Sequence, residues 1–259
     1  MNNTFNFNRF SLLFKKQFVE QRSTYFMSTA VLFGFLTILL GFSTYANEGY
    51  VAAKVQFTFM VSVLTFAGII FTSMIFADLG DKKKAIPILT LPVSHLEKYL
   101  VAWLYSFPIF LLVYFICFYT VDGLTVYIGN MHVAHKNEVL SLFDQELKPY
   151  RVLPVFAVLH AIAFLGAIFF ERLHLIKTAF ATLIFVFGIF LLNQPLIKMI
   201  FKPEVRNAVP FDNIGVIDGD QVWYIDSTKD SIHIVSVLLV LLMVIFWTSA
   251  YFKLKEKEV

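Results

Sequence analysis

Charged side chains make up 15% of the 259 residues, against roughly 25% in a typical soluble domain. Where they are missing excludes more than how many there are. Six windows hold no Asp, Glu, Lys or Arg: Ser23–Asn47, Val55–Ala77, Tyr99–Val121, Val152–Phe170, Thr178–Ile197 and Ser231–Phe252, of 25, 23, 23, 19, 20 and 22 residues. No other charge-free stretch exceeds 13 residues. A helix rises about 1.5 Å per residue, so about 20 apolar residues cross a hydrocarbon core about 30 Å thick. A water-soluble globular domain is excluded. The single cysteine, Cys117, lies in the third window and leaves no intrachain disulfide to form. Alternating segments of about ten residues are also missing, which excludes a transmembrane barrel. No cleavable signal peptide is expected, because the first apolar run starts after about twenty polar and amphipathic residues and is too long for a signal core.

Energy-converting and catalytic patterns are absent as well. There is no G-x-x-x-x-G-K-[ST] phosphate loop, so ATP hydrolysis by that route is excluded. H-E-x-x-H, G-x-S-x-G and an inward-facing carboxylate pair are all missing, and the expectation is a chain that is not an enzyme. Ion-coupled transporters usually carry ionisable groups at membrane depth. Apart from Cys117, tyrosines and His233 at the edge of the sixth window, the titratable residue in the windows is His160, expected as a hydrogen-bonded packing residue. The energy source for any transport therefore sits elsewhere.

What remains is an all-α membrane protein, a single six-helix domain over 1–259. Hydrophobic residues reach 58%, with 31 phenylalanines to meet lipid and neighbouring helices. Thirteen of the 21 basic residues fall in the N-terminal segment, the loops 78–98 and 171–177, and the C-terminal tail. That bias places both termini in the cytoplasm and the loops 122–151 and 198–230 outside. The basic excess suits an anionic leaflet of membrane lipids and calls for no nucleic acid. Ahead of the first window, Phe7, Phe10, Leu13, Phe14 and Phe18 recur at helical spacing. Asn8, Arg9, Lys15, Lys16, Glu20 and Arg22 fill the other face. Residues 1–22 therefore read as an amphipathic elbow helix lying in the interface.

The loop 78–98 is the most informative short segment. Lys82, Lys83 and Lys84 mark its cytoplasmic side, and Pro87 and Pro92 bracket the apolar stretch Ile88–Leu91. Ser94 and Glu97 form an S-x-x-E capping box that starts the third span. The apolar stretch is either a docking knob or an ordinary re-entry turn.

Leu91-Pro92-Val93-Ser94 and Glu97-Lys98-Tyr99-Leu100, after a Lys-rich inner loop and within a six-span topology, resemble type-2 ABC transporter permeases. The sequence-specific part of the likeness covers residues 76–106. It implies a coupling segment from about Asp81 to Glu97 that fits a separate ATPase subunit, with Lys82, Lys83, Lys84, Pro87, Leu91, Pro92 and Glu97 as its residues. It further implies ATP and Mg on that partner, a homodimer or paired permease, export, and a bacterial inner membrane. The outer loop after span three, about thirty residues, is longer than in many relatives.

Within the spans, Thr58, Ser62, Thr65, Gly68 and Thr72 share one face of the second helix. Either these hydroxyls line a translocation path, or they bond to their own carbonyls and neighbouring helices, at about 0.6 kcal/mol each. Span four is rich in Ala157, Ala161, Ala163, Gly166 and Ala167, which close helix approach explains. His132, His135 and Glu138 are spaced as weak metal ligands in a loop expected to be solvated. Asp212, Asp218, Asp220 and Asp226 lack the spacing of a calcium loop. Ile214–Ile217 and Gln221–Ile225 flank the turn dipeptide Asp218-Gly219, so a small hairpin is expected there, with Trp223 and Tyr224 at the membrane surface. A rival function of another class is a non-transporting scaffold or anchor subunit working through these outer loops.

Overall fold

The computed structural model describes residues 5–76, 91–131, 133, 136–170, 173–201, 205–208, 214–218, 221–225 and 229–256. Lys82, Lys83, Lys84, Pro87, His132, His135, Asp212, Asp220 and Asp226 lie outside the described residues. Helix α1 spans Phe7–Ala46 and α2 spans Ala53–Met74. The third span joins α3 (His95–Leu104) to α4 (Phe110–Gly129) through a π-helical turn at Tyr105–Ile109. Then come α5 (Val152–Phe169), α6 (His174–Phe201) and α7 (Lys229–Glu256). Among the described residues, six helices are long and apolar enough to cross a membrane.

Helix α1 departs from the expected elbow followed by a separate span. It is one helix of 40 residues, about 60 Å long. Asn6 caps its start by accepting N–H bonds from Asn8 and Arg9 at 2.9 and 3.3 Å. No proline or glycine follows until Gly34, so nothing in the backbone forces a break near residue 22.

The third span also differs from its window. It begins four residues early, at His95 after the Ser94 cap, and runs eight residues further, to Gly129. Its π turn sits around Pro108, whose missing N–H and bulky ring an α-helix cannot absorb. The segment 122–129, expected as loop, is therefore helix, and it brings Asp122 into the bundle with no solvent exposure.

Helix α5 is the hub, packing against α2, α6 and α7. Its small residues are buried as expected, with Ala161 and Ala167 fully enclosed. A Cβ on Gly166 would strike the side chain of Thr178 on α6. Lipid removes the hydrophobic drive between helices, so close packing of this kind holds them together. One buried cluster joins α1, α2, α4 and α5 around Leu36, Leu64, Tyr114 and Phe156. A second joins α3, α5 and α7 around Tyr99, Phe164 and Leu254. None of the apolar window of α6 is buried.

The expected hairpin is present as β2 (Ile214–Asp218) and β3 (Gln221–Ile225), antiparallel, closing at the Asp218–Gln221 pair. A third strand that the sequence did not announce, β1 (Val205–Ala208), pairs antiparallel with β2. It is four residues long and its register shifts between Val205 and Asn207, so it shows no clean alternation. Among the described residues the fold is all-α but for this sheet.

Candidate functional site

Three features line up along the third span. At its start, Ser94 and Glu97 form the expected capping box: the Glu97 N–H donates to Ser94 Oγ at 3.2 Å, and the Ser94 N–H donates to Glu97 Oε2 at 2.9 Å. The other carboxylate oxygen, Oε1, accepts the Asn6 N–H at 2.7 Å and Arg9 Nη2 at 3.0 Å. Glu97 is fully buried, while the Arg9 side chain keeps 30% of its surface exposed. The residue expected only to cap α3 and couple to a partner thus also clamps the start of α1. Leu91 is half-buried and Pro92 exposed just before it, in the apolar position assigned to the docking knob.

Ten residues on, the π turn holds an aromatic stack. Tyr105 lies over Phe14 at 4.7 Å and over Tyr25 at 5.3 Å, and its hydroxyl donates to the Phe14 carbonyl at 3.0 Å. On the opposite flank, Ser106 Oγ meets His160 Nε2 at 2.9 Å, and the Trp247 indole N–H donates to His160 Nδ1 at 3.2 Å. An indole can only donate, so Nδ1 is the acceptor and Nε2 carries the proton. Ser106 then donates to the Trp103 carbonyl at 3.3 Å. His160 is a hydrogen-bonded packing residue, as expected. What it packs is the turn, pinned to α5 and α7.

Beyond the turn, α1, α2 and the third span enclose a lateral groove of about 1420 Å³. Tyr105, Ile109, Phe110 and Val113 form one wall, and α1 lines it from Phe14 to Leu39. The hydroxyl stripe of α2 splits on it. Thr58 and Ser62 line the groove, whereas Thr65 and Thr72 do not, and Thr72 is fully buried. Thr58, Thr65 and Thr72 each donate to the carbonyl four residues back, Lys54, Val61 and Gly68, at 2.8, 2.8 and 2.7 Å. Gly68 serves packing, since a Cβ there would overlap the Phe156 ring.

At the opposite end of these helices, the segment 137–140 forms a latch. Asn137 accepts the Val51 N–H at 3.0 Å and donates to the Gly49 carbonyl at 2.8 Å. Asn130 and Asn137 exchange two further bonds at 2.6 and 3.0 Å. Gln56 donates to the Glu138 carbonyl at 3.0 Å, and the Leu140 N–H donates to Asp122 Oδ2 at 3.2 Å. Asp122 Oδ1 has no hydrogen-bond partner among the described residues. Glu138, the one described member of the weak metal triplet, contributes its carbonyl; no cluster of metal-binding side chains occurs among the described residues.

The fold and site define a six-span helical membrane protein with a groove open to its side and a charged clamp at one end of the groove wall. The chain matches no family model, no curated protein and no solved structure.

Proposed function

We propose that this chain is the permease subunit of an ATP-driven exporter of the ABC type, paired with a second permease and driven by a separate ATPase that carries ATP and Mg. It sits in a bacterial inner membrane with both termini in the cytoplasm, and performs no bond chemistry itself. One observation carries this reading: the helix that starts at His95, directly after Leu91–Ser94, continues through the π turn into the wall of the groove. A push from a partner on the knob would reach that wall along one backbone, while the Glu97 clamp passes it to α1. Alternating access then amounts to a change in the splay of α1, α2 and the third span. Thr58 and Ser62 offer the path its few polar contacts.

The test is purification of the tagged chain in mild detergent with mass spectrometry of what accompanies it. A stoichiometric soluble subunit with a Walker A sequence is expected, and Leu91→Asp should abolish stimulation of its ATPase while membrane insertion persists. Recovery without any ATPase would sink the reading.

The scaffold alternative draws on the sheet between α6 and α7. Both β1 and β3 lack a second neighbour among the described strands, and unpaired edges invite a partner strand. It predicts that an outward-facing partner stays bound when residues 78–98 are replaced.

A further inference from the structure

Groove and charge fall into a pattern that the transport reading does not use. The lining of α1 runs from Phe14 to Leu39, about 37 Å of helix, which exceeds a hydrocarbon core about 30 Å thick. Its volume of about 1420 Å³ is larger than the roughly 300–1,000 Å³ of a site for a drug-sized molecule. Phenylalanines recur along its walls, and its hydroxyls gather in two places, at Ser23–Thr29 midway along the α1 lining and at Thr58 and Ser62 at one end of the α2 lining. A guest with long apolar stretches beside a polar group matches this lining.

The N-terminal end of the groove is also positively charged. Phe18, Tyr25 and Thr29 line it, and Arg22 falls between them on the same helix face, with Lys15 one turn before Phe18 on that flank. Both cations are exposed. Arg9 is engaged by Glu97 and Lys16 lies 3.6 Å from Glu20, but no ion pair among the described residues engages Lys15 or Arg22. Glu20 is the sole carboxylate of α1; it stands one turn before Ser23 and Thr24 of the lining and is paired with Lys16, which leaves Lys15 and Arg22 as the net charge of that end.

We propose that the groove seats the acyl chains of an anionic phospholipid from the leaflet on the N-terminal side, with its phosphate held by Lys15 and Arg22. Lys and Arg at the depth where a span leaves the membrane are placed to meet such a headgroup. A second copy of the chain is a poorer occupant, because close helix contact in membranes uses small residues and these walls present Phe26, Phe35, Phe59 and Phe66.

The full-length protein, reconstituted in vesicles of phosphatidylcholine and phosphatidylglycerol and then gently extracted, would be weighed intact with its retained lipid. Phosphatidylglycerol should be kept in preference. K15Q/R22Q should reduce that preference roughly fivefold per charge removed. Ala67→Trp, which fills the groove, should release both lipids. Equal retention of the two lipids by the parent protein would overturn the proposal, as would an unchanged preference in K15Q/R22Q, whose exposed positions leave packing intact. Ala67→Trp breaking an oligomer without releasing lipid would assign the groove to a protein partner and also overturn it. None of these readouts depends on a motor subunit, so a failed transport reading leaves the test unaffected.

Discussion

Arg9 reaches 88 residues along the sequence to place Nη2 3.0 Å from Glu97 Oε1, on a carboxylate with no solvent exposure. That oxygen also takes the Asn6 N–H, so the beginning of α1 and the beginning of the third span share one anion.

Glu97→Ala should therefore cost about 3 kcal/mol, since it removes the buried carboxylate that Arg9 and two backbone donors share. Arg9→Ala should cost about 1 kcal/mol, because its guanidinium is partly solvated. Thermal unfolding in detergent would give both values, and the double variant should cost less than their sum. Additive losses would mean that the pair is not coupled.

Gly68→Ala should destabilise by about 1–3 kcal/mol, because its methyl group must displace the Phe156 ring. Combining it with Phe156→Leu should recover part of that loss in the same unfolding measurement. No recovery would place the strain elsewhere.

Asp122 presents a buried carboxylate that receives one N–H, from Leu140, and leaves Oδ1 unpartnered. Asn keeps an acceptor for Leu140 and removes the charge, so Asp122→Asn should raise the unfolding midpoint. Asp122→Ala should lower stability by about 1–3 kcal/mol. Loss in both variants would point to a counter-charge on this carboxylate.

Trp247→Phe should cost about 1–3 kcal/mol by leaving His160 Nδ1 buried without a donor. Nitrogen NMR of the parent protein should report an imidazole protonated at Nε2. A proton on Nδ1 would contradict the bond from Trp247.

In a background lacking Cys117, cysteine at Ser62 should react with a small thiol reagent that reaches the groove, and cysteine at Thr72 should stay protected. Equal labelling of the two would reject the split of the hydroxyl stripe.

The six spans were legible because lipid imposes one requirement on every residue of a window, and charge marks the ends of each. The same rule hid Asp122. Its charge reads as the end of the third span, whereas the helix carries on for two turns and the Leu140 N–H meets the carboxylate. The capping box could be read because its partners are three residues apart. The Arg9–Glu97 pair could not, since nothing local joins positions 88 residues apart. The hydroxyl stripe was sound as helix geometry, but only the splay of α1 from α2 and the third span decides which members meet the groove. His160 could be flagged as unusual, though Trp247 and Ser106 gave no signal as its partners. The continuity of α1 was visible as the lack of any breaker, yet its amphipathic start pointed to an interfacial elbow.

The π turn at Tyr105–Ile109 has a bearing on how the third span should be mapped. Each helix residue turns by about 100°, and a π turn holds one residue more than an α turn. Numbering that runs smoothly from α3 into α4 therefore slips by one position in angle. A wheel drawn over His95–Gly129 as a single helix would put residues of α4 on the wrong side. Removing one residue at the turn would restore a regular α-helix and leave α4 facing as it does relative to the clamp at Glu97, whereas removing one residue from the α-helical stretch just beyond the turn would swing the rest of α4 by about 100°.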